Sequence, residues 1–187
     1  MKEELEKAYE AIKNGGVILY PTDTIWGLGC DPNNELAISK IQQIKNRTNE
    51  KSMLLLVNSE RLLQRYVKEI PDVCFDLIDY SERPLTIVYP QGQYVSEKIL
   101  GEDGSLAIRI TKNTFAYKLI ERLKHGIIST SANVTDTAYA SNDLKDIPES
   151  IKNSVDYIVN LPLTNKSVQP SQIIKIEADS TVTIIRK

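Results

Sequence analysis

The stretch Lys45-Asn46-Arg47-Thr48-Asn49-Glu50-Lys51-Ser52-Met53-Leu54-Leu55-Leu56-Val57 places three cations within seven residues, directly before an unbroken apolar run. Five consecutive apolar residues read as a strand covered on both faces, of the kind found in the middle of a sheet. Just upstream, apolar residues at 37, 38, 41 and 44 recur at helical spacing. A helix feeding a buried strand is the repeating unit of an α/β sheet. The cations then sit at the junction, where a scaffold can hold them against a ligand. Three fixed cations facing a pocket suit a polyanion such as a triphosphate. Taken alone, the run has a plainer explanation: Lys and Arg favour the last turn of a helix. The rest of the chain has to decide between the two.

On both sides of this stretch the same alternation continues. Leu5, Ala8, Tyr9 and Ile12 have helical spacing, and Asn14-Gly15-Gly16 stops that helix. Residues 17–20 read as a short buried strand ended by Pro21. After the central run comes a helix-rich stretch over 59–80, interrupted at Pro71. Residues 85–89 and 106–110 read as strands, 114–123 as a helix, and 126–129 as a turn into another strand. The tail supplies three further strands, over 157–159, 173–176 and 181–185. There is no internal repeat, low-complexity tract or long linker. The expectation is one α/β domain over 1–187, built on a mixed sheet flanked by helices.

Bulk properties narrow the function classes. The chain has 187 residues, enough for a sizeable core in one domain. With 41% hydrophobic and 26% charged residues it reads as an ordinary globular protein. A net charge of −2 argues against nucleic acid as a tightly held partner, so any RNA contact is expected to be weak or indirect. Cys30 and Cys74 lack metal-ligand spacing and read as small core residues. The N-terminus has no apolar signal region, and no run approaches the ~20 apolar residues of a membrane span. A reducing cytoplasm is the expected location, with no membrane partner.

Two segments carry ligand-type chemistry. Residues 20–31 (YPTDTIWGLGCD) follow the first strand, where open α/β sheets place their binding loops. Thr22 and Thr24 offer hydroxyls, Asp23 a carboxylate that could help hold Mg²⁺ beside a nucleotide, and Gly27 and Gly29 backbone freedom. The glycine spacing fits neither a dinucleotide fingerprint nor a Walker A loop. The second segment, Ile127-Ile128-Ser129-Thr130-Ser131-Ala132-Asn133, runs a strand into hydroxyls and an amide that can grip ribose or phosphate. Both segments also read as ordinary polar turns. Arg109 interrupts an apolar strand, and Arg186 lies near the end of the last one; by alternation either could point to solvent. His125 is the single histidine, which argues against a catalytic His or a His-built metal site. No nucleophile has an attendant base. The chemistry that fits is positioning and charge neutralisation, as in nucleotidyl transfer.

The order of these motifs resembles the YrdC-like threonylcarbamoyl-AMP synthase family. The residues are Pro21-Thr22-Asp23-Thr24-Ile25-Trp26-Gly27-Leu28-Gly29, then Lys45/Arg47/Lys51, Pro84-Leu85-Thr86, and Ser131/Asn133. The resemblance implies a twisted open sheet with flanking helices enclosing a central basic cavity. It implies synthesis of L-threonylcarbamoyl-adenylate and pyrophosphate from L-threonine, bicarbonate or CO₂, and ATP, with Mg²⁺ accompanying the nucleotide. A separate transferase complex would receive the intermediate for threonylcarbamoyladenosine (t6A) modification of tRNA. By motif, Lys45, Arg47, Lys51, Ser131, Asn133 and Arg186 would bind ATP, and Thr24, Arg109, Ser129 and Ser171 would bind L-threonine.

Three positions depart from the family pattern. Trp26 replaces the usual Tyr, Gln172 replaces Thr after Ser171, and Arg109-Ile110-Thr111 stands for R-x-P. The chain ends at Lys187, as expected of the short form without the additional C-terminal domain. Two rival readings share the scaffold. One is a non-catalytic RNA-binding YrdC-like module, and the other a related carbamoyl- or acyl-adenylate enzyme.

Overall fold

The structure, a computed structural model, describes residues 1–45, 53–133, 143–162 and 170–187. In chain order the elements are α1 (Lys2–Lys13), β1 (Ile18–Pro21), β2 (Trp26–Cys30), α2 (Glu35–Ile44), β3 (Leu54–Val57), α3 (Glu60–Tyr66) and α4 (Val73–Tyr80). They continue with β4 (Leu85–Tyr89), β5 (Leu106–Ile110), α5 (Thr114–Leu123), β6 (Ile127–Ser131), α6 (Glu149–Lys152), β7 (Tyr157–Ile158), β8 (Gln172–Ile176) and β9 (Val182–Arg186). The strands form one mixed sheet in the order β7-β1-β2-β6-β3-β5-β4-β8-β9. The apolar run at 54–57 is central, as its composition predicts. It pairs parallel with β5 and antiparallel with β6.

Local chemistry accounts for the helix limits. The Asn34 side chain accepts from the Ala37 amide to start α2, and Asn113 accepts from the Phe115 and Ala116 amides to start α5. Alternation along the strands then sorts side chains between two cores. Leu55 and Val57 join the layer under α2, α3 and α4, with Ile38, Leu63 and Cys74. Leu56 joins the layer under α1 and α5, with Ile12, Phe115 and Leu119.

One stretch read as a loop is largely a strand. Residues 26–30 form β2, which turns back along β1 with Pro21 opposite Trp26 and Ile18 opposite Gly29. Gly27 and Gly29 are not among the residues with positive φ, so their value is not backbone freedom. What matters is the missing side chain. A Cβ on Gly29 would lie 2.8 Å from Tyr20 Cε1, and one on Gly27 would lie 3.2 Å from Ser129 Oγ. Tyr20 crosses β2 over the bare Gly29 and donates from its hydroxyl to Ser129 Oγ on β6 at 2.9 Å.

Candidate functional site

Residues paired directly across a sheet share a face. Arg109 pairs with Leu56, Ser129 with Gly29 and Leu54, and Ser131 with Gly27. Thr86 and Arg186 both pair with Ile173, and Ser171 lies two residues before it. All of these residues lie on the face that carries α1 and α5. The face is divided: Ile18, Leu56 and Ile127 are packed under the two helices, while hydroxyls and guanidinium groups occupy the rest. Arg109 is therefore not a strand cation turned to solvent; it is 4% exposed.

Three clusters make up this polar strip. In the first, Lys45 follows the end of α2 and is 1% exposed. Its Nζ lies 2.9 Å from Asn133 Oδ1, 3.1 Å from Asn133 O and 3.3 Å from Ser131 Oγ, and it also bonds Ser131 O. Ser131 Oγ donates to Asn133 Oδ1 at 2.6 Å. Three of the residues expected at ATP are thus joined directly. Arg47 and Lys51, expected beside them, lie outside the described residues.

The second cluster is built on the β1–β2 turn. Thr22 Oγ1 accepts from the Thr24 and Ile25 amides, donates to Ile25 O at 2.6 Å, and lies 3.0 Å from Thr24 Oγ1. This hydroxyl cage fixes Asp23 between two anchored residues. Asp23 Oδ1 accepts from Arg109 Nη2 at 2.9 Å, with the two side chains 14% and 4% exposed. Ser129 stands on the neighbouring strand with Tyr20 on its hydroxyl. Burial pushes the Tyr20 phenol well above its ordinary range, and the bond to Ser129 offsets only part of that shift. Tyr20 is therefore a neutral donor at physiological pH.

In the third cluster Thr86 Oγ1 and Ser171 Oγ are 2.8 Å apart and both residues are buried. Arg186 Nε donates to Ser171 O at 3.0 Å and Nη2 to Ser171 Oγ at 3.3 Å. A register shift between Ile173 and Ile174 sets Arg186 opposite Ile173, although Ile184 faces Ile174. Such a bulge re-aims a strand residue. Arg186 accordingly joins Ser171 on the strip, so a residue expected at ATP is coupled to one expected at threonine.

Two of the departures noted in the sequence fall on the opposite face. Trp26 is 2% exposed in the core under α2, its indole Nε1 unbonded among the described residues. Gln172 pairs with Leu85 and lines a groove with Val73 and Leu77 of α4. Neither substitution alters the strip. Sequence reading missed Tyr20, which looks like one more apolar strand residue, and the engagement of Asp23 by Arg109. For Mg²⁺ the fit is poor: Asp23 is committed to Arg109, and no three His, Cys, Asp or Glu side chains converge among the described residues.

The family model named Sua5_yciO_yrdC, described as telomere recombination, matches residues 10–187. The chain belongs to the Sua5/YciO/YrdC family. A threonylcarbamoyl-AMP synthase of Idiomarina loihiensis is 33% identical over 177 residues, covering 93% of this chain and 94% of that one. One from Acinetobacter baumannii is 33% identical over 175 residues, covering 90% and 91%. Among solved structures, E. coli YciO superposes with a TM-score of 0.87 at 24% identity, over 100% of this chain and 90% of that one, and shares the fold. P. abyssi Sua5 complexed with L-threonine superposes with a TM-score of 0.81 at 26% identity, covering 92% of this chain and 50% of that one. No helix among the described residues is long and apolar enough to cross a membrane.

Proposed function

We propose that this Sua5/YciO/YrdC protein is an L-threonylcarbamoyl-AMP synthase, a nucleotidyltransferase that makes the intermediate for t6A modification of tRNA. The observation that carries the reading is the likeness to synthases over about nine-tenths of both chains, 93% and 94% in the first case and 90% and 91% in the second. The polar strip adds support, because it joins residues far apart in sequence into clusters suited to polyanion and amino-acid ligands.

Thr24, Arg109, Ser129 and Ser171 bind L-threonine, with Arg109 on its carboxylate. Lys45, Arg47, Lys51, Ser131, Asn133 and Arg186 bind ATP, and the strip is one wall of a central basic cavity. Bicarbonate or CO₂ and the threonine amine form a carbamate, whose oxygen attacks the α-phosphorus as the bond to pyrophosphate breaks. The side chains work by fixing this approach and by neutralising charge on the phosphates. Any Mg²⁺ would arrive with the nucleotide and supply charge neutralisation on its phosphates. The product passes to a separate t6A transferase complex, and tRNA is engaged there. The chain works as a single domain, in the cytoplasm.

The test supplies L-threonine, bicarbonate and ATP and measures pyrophosphate and the adenylate. The expected result is pyrophosphate release that requires threonine. Release that continues unchanged without threonine would rule the reading out.

A further inference from the structure

The Arg109 guanidinium is buried, yet it makes a single hydrogen bond among the described residues, from Nη2 to Asp23 Oδ1. Its Nε is buried without a partner among the described residues. A guanidinium carries five N–H donors, and leaving one buried and unbonded is costly unless a ligand takes it. Such a group is built to receive an anion with two oxygens, which can bond side-on to Nε and Nη2. Asp23 complicates that picture. It is fixed 2.9 Å from Arg109 by the Thr22 cage, so any purely anionic ligand arriving at Arg109 meets a carboxylate. A phosphate or a simple carboxylate is penalised by that like charge. A head group carrying both signs is not.

We propose that Asp23 recognises the α-ammonium group of the amino-acid substrate, so that Arg109 and Asp23 together read a zwitterionic head group. The inference rests on the threonine reading above and adds a residue to it. On binding, the ligand carboxylate takes the uncommitted Arg109 donors and the ammonium takes Asp23, leaving every charge paired. The ligand thereby matches the existing pair, and the protein does not strand a buried charge when the site is empty. Asp23 also excludes hydroxy acids of the same shape, which present a carboxylate and no cation. Specificity for an amine-bearing substrate follows from repulsion as much as attraction.

The test compares L-threonine with 3-hydroxybutanoate, the same skeleton without the amine, by titration calorimetry on the intact chain. The wild-type protein is expected to prefer threonine by more than about tenfold, the scale of one charge-assisted contact. Asp23→Asn should lose about tenfold or more in threonine affinity while binding 3-hydroxybutanoate as well as or better than the wild type. Equal losses for both ligands would overturn the proposal, because they would make Asp23 only a strut for Arg109. Equal wild-type affinity for the two ligands would also overturn it, without any variant. Should Asp23→Asn fail to fold, Asp23→Glu keeps the charge and must keep the preference for threonine; losing that preference counts against the proposal. A wild type that binds neither ligand instead refutes the threonine reading itself.

Discussion

Two buried cations, Lys45 and Arg109, lie on the same polar strip and are held in opposite ways. The four oxygens recorded around Lys45 Nζ belong to Ser131 and Asn133, more acceptors than an ammonium has protons. Arg109 has five donors and, among the described residues, spends one, on a carboxylate. The first arrangement is a staple joining the end of α2 to the end of β6. The second is an unfinished pair. A buried cation is thus not informative by its charge alone; the ratio of donors to committed acceptors shows which cation already holds its own site together before a ligand arrives, as Lys45 does on the ATP side, and which still waits for one. The two have the same reach: Lys45 ties the end of α2 to Ser131 and Asn133 across 86 and 88 residues of sequence, and Arg109 connects β5 to the β1–β2 turn across 86.

Replacing Arg109 tests the recognition half of this contrast and should have the largest effect. Arg109→Ala leaves Asp23 without its partner, and breaking a buried charge pair in this way costs about 3–5 kcal/mol. Part of that will appear as a lower unfolding midpoint. The diagnostic part is threonine affinity, which should fall at least as far as in Asp23→Asn when measured by calorimetry on folded protein. A variant with reduced stability and undiminished threonine binding would make Arg109 a staple like Lys45 and erase the distinction.

The converse experiment is Lys45→Met, which keeps the length and removes the charge. Ser131 O keeps the Asn133 amide and Asn133 Oδ1 keeps the Ser131 hydroxyl, so only the other two half-buried acceptors lose their donor, and a stability loss of about 1–3 kcal/mol is expected in urea unfolding. Because Lys45 is 1% exposed, lost activity in this variant is not by itself evidence of contact with ATP. Threonine binding should survive at temperatures where the variant is folded. If stability is unchanged, the ammonium is not the tie that its geometry describes.

The contrast also shows where sequence reading stops. The central strand and the strand–helix alternation were legible, because a continuous apolar run and helical spacing are local patterns. The two glycines were noticed for the wrong reason. Spaced glycines after a strand suggest backbone freedom in a binding loop, and only the pairing of β2 reveals that Gly29 clears room for the Tyr20 ring and Gly27 for the Ser129 hydroxyl. Whether Arg109 faced solvent could not be settled from alternation, since a face becomes polar or apolar only when its covering layer is known. Arg186 was harder still, because a one-residue register shift decides its position and leaves no local signature. The pairs Asp23–Arg109 and Tyr20–Ser129 span 86 and 109 residues, beyond any periodicity.

Gly29→Ala probes that cleared space. Its Cβ would sit 2.8 Å from Tyr20 Cε1 and 3.0 Å from Ile128 O, and overpacking of this kind costs about 1–3 kcal/mol. The ring has to move, so the Tyr20–Ser129 bond should lengthen or break and near-ultraviolet circular dichroism should change. Tyr20→Phe in the same background separates the terms. If the steric push has already broken the bond, removing the hydroxyl adds little further loss; a full additional loss would mean that the ring had not moved.

The smallest effect is expected at the third cluster, and it tests whether the strip is held by pairs or by single residues. Ser171→Ala removes the hydroxyl shared with Thr86 and with Arg186 Nη2. Arg186 keeps its Nε bond to the Ser171 carbonyl, which no side-chain change removes, and the bulge still sets its register. The cost should therefore be confined to the Thr86 hydroxyl, 1% exposed and deprived of its partner, at about 1 kcal/mol in the urea midpoint. The double variant Thr86→Val with Ser171→Ala removes both members of the pair and replaces them with apolar groups of similar shape. It should be no less stable than Ser171→Ala alone, because the penalty of a lone buried hydroxyl disappears with the hydroxyl. Additive losses in the double variant would mean that each hydroxyl has a separate partner, and the two would cease to act as one unit.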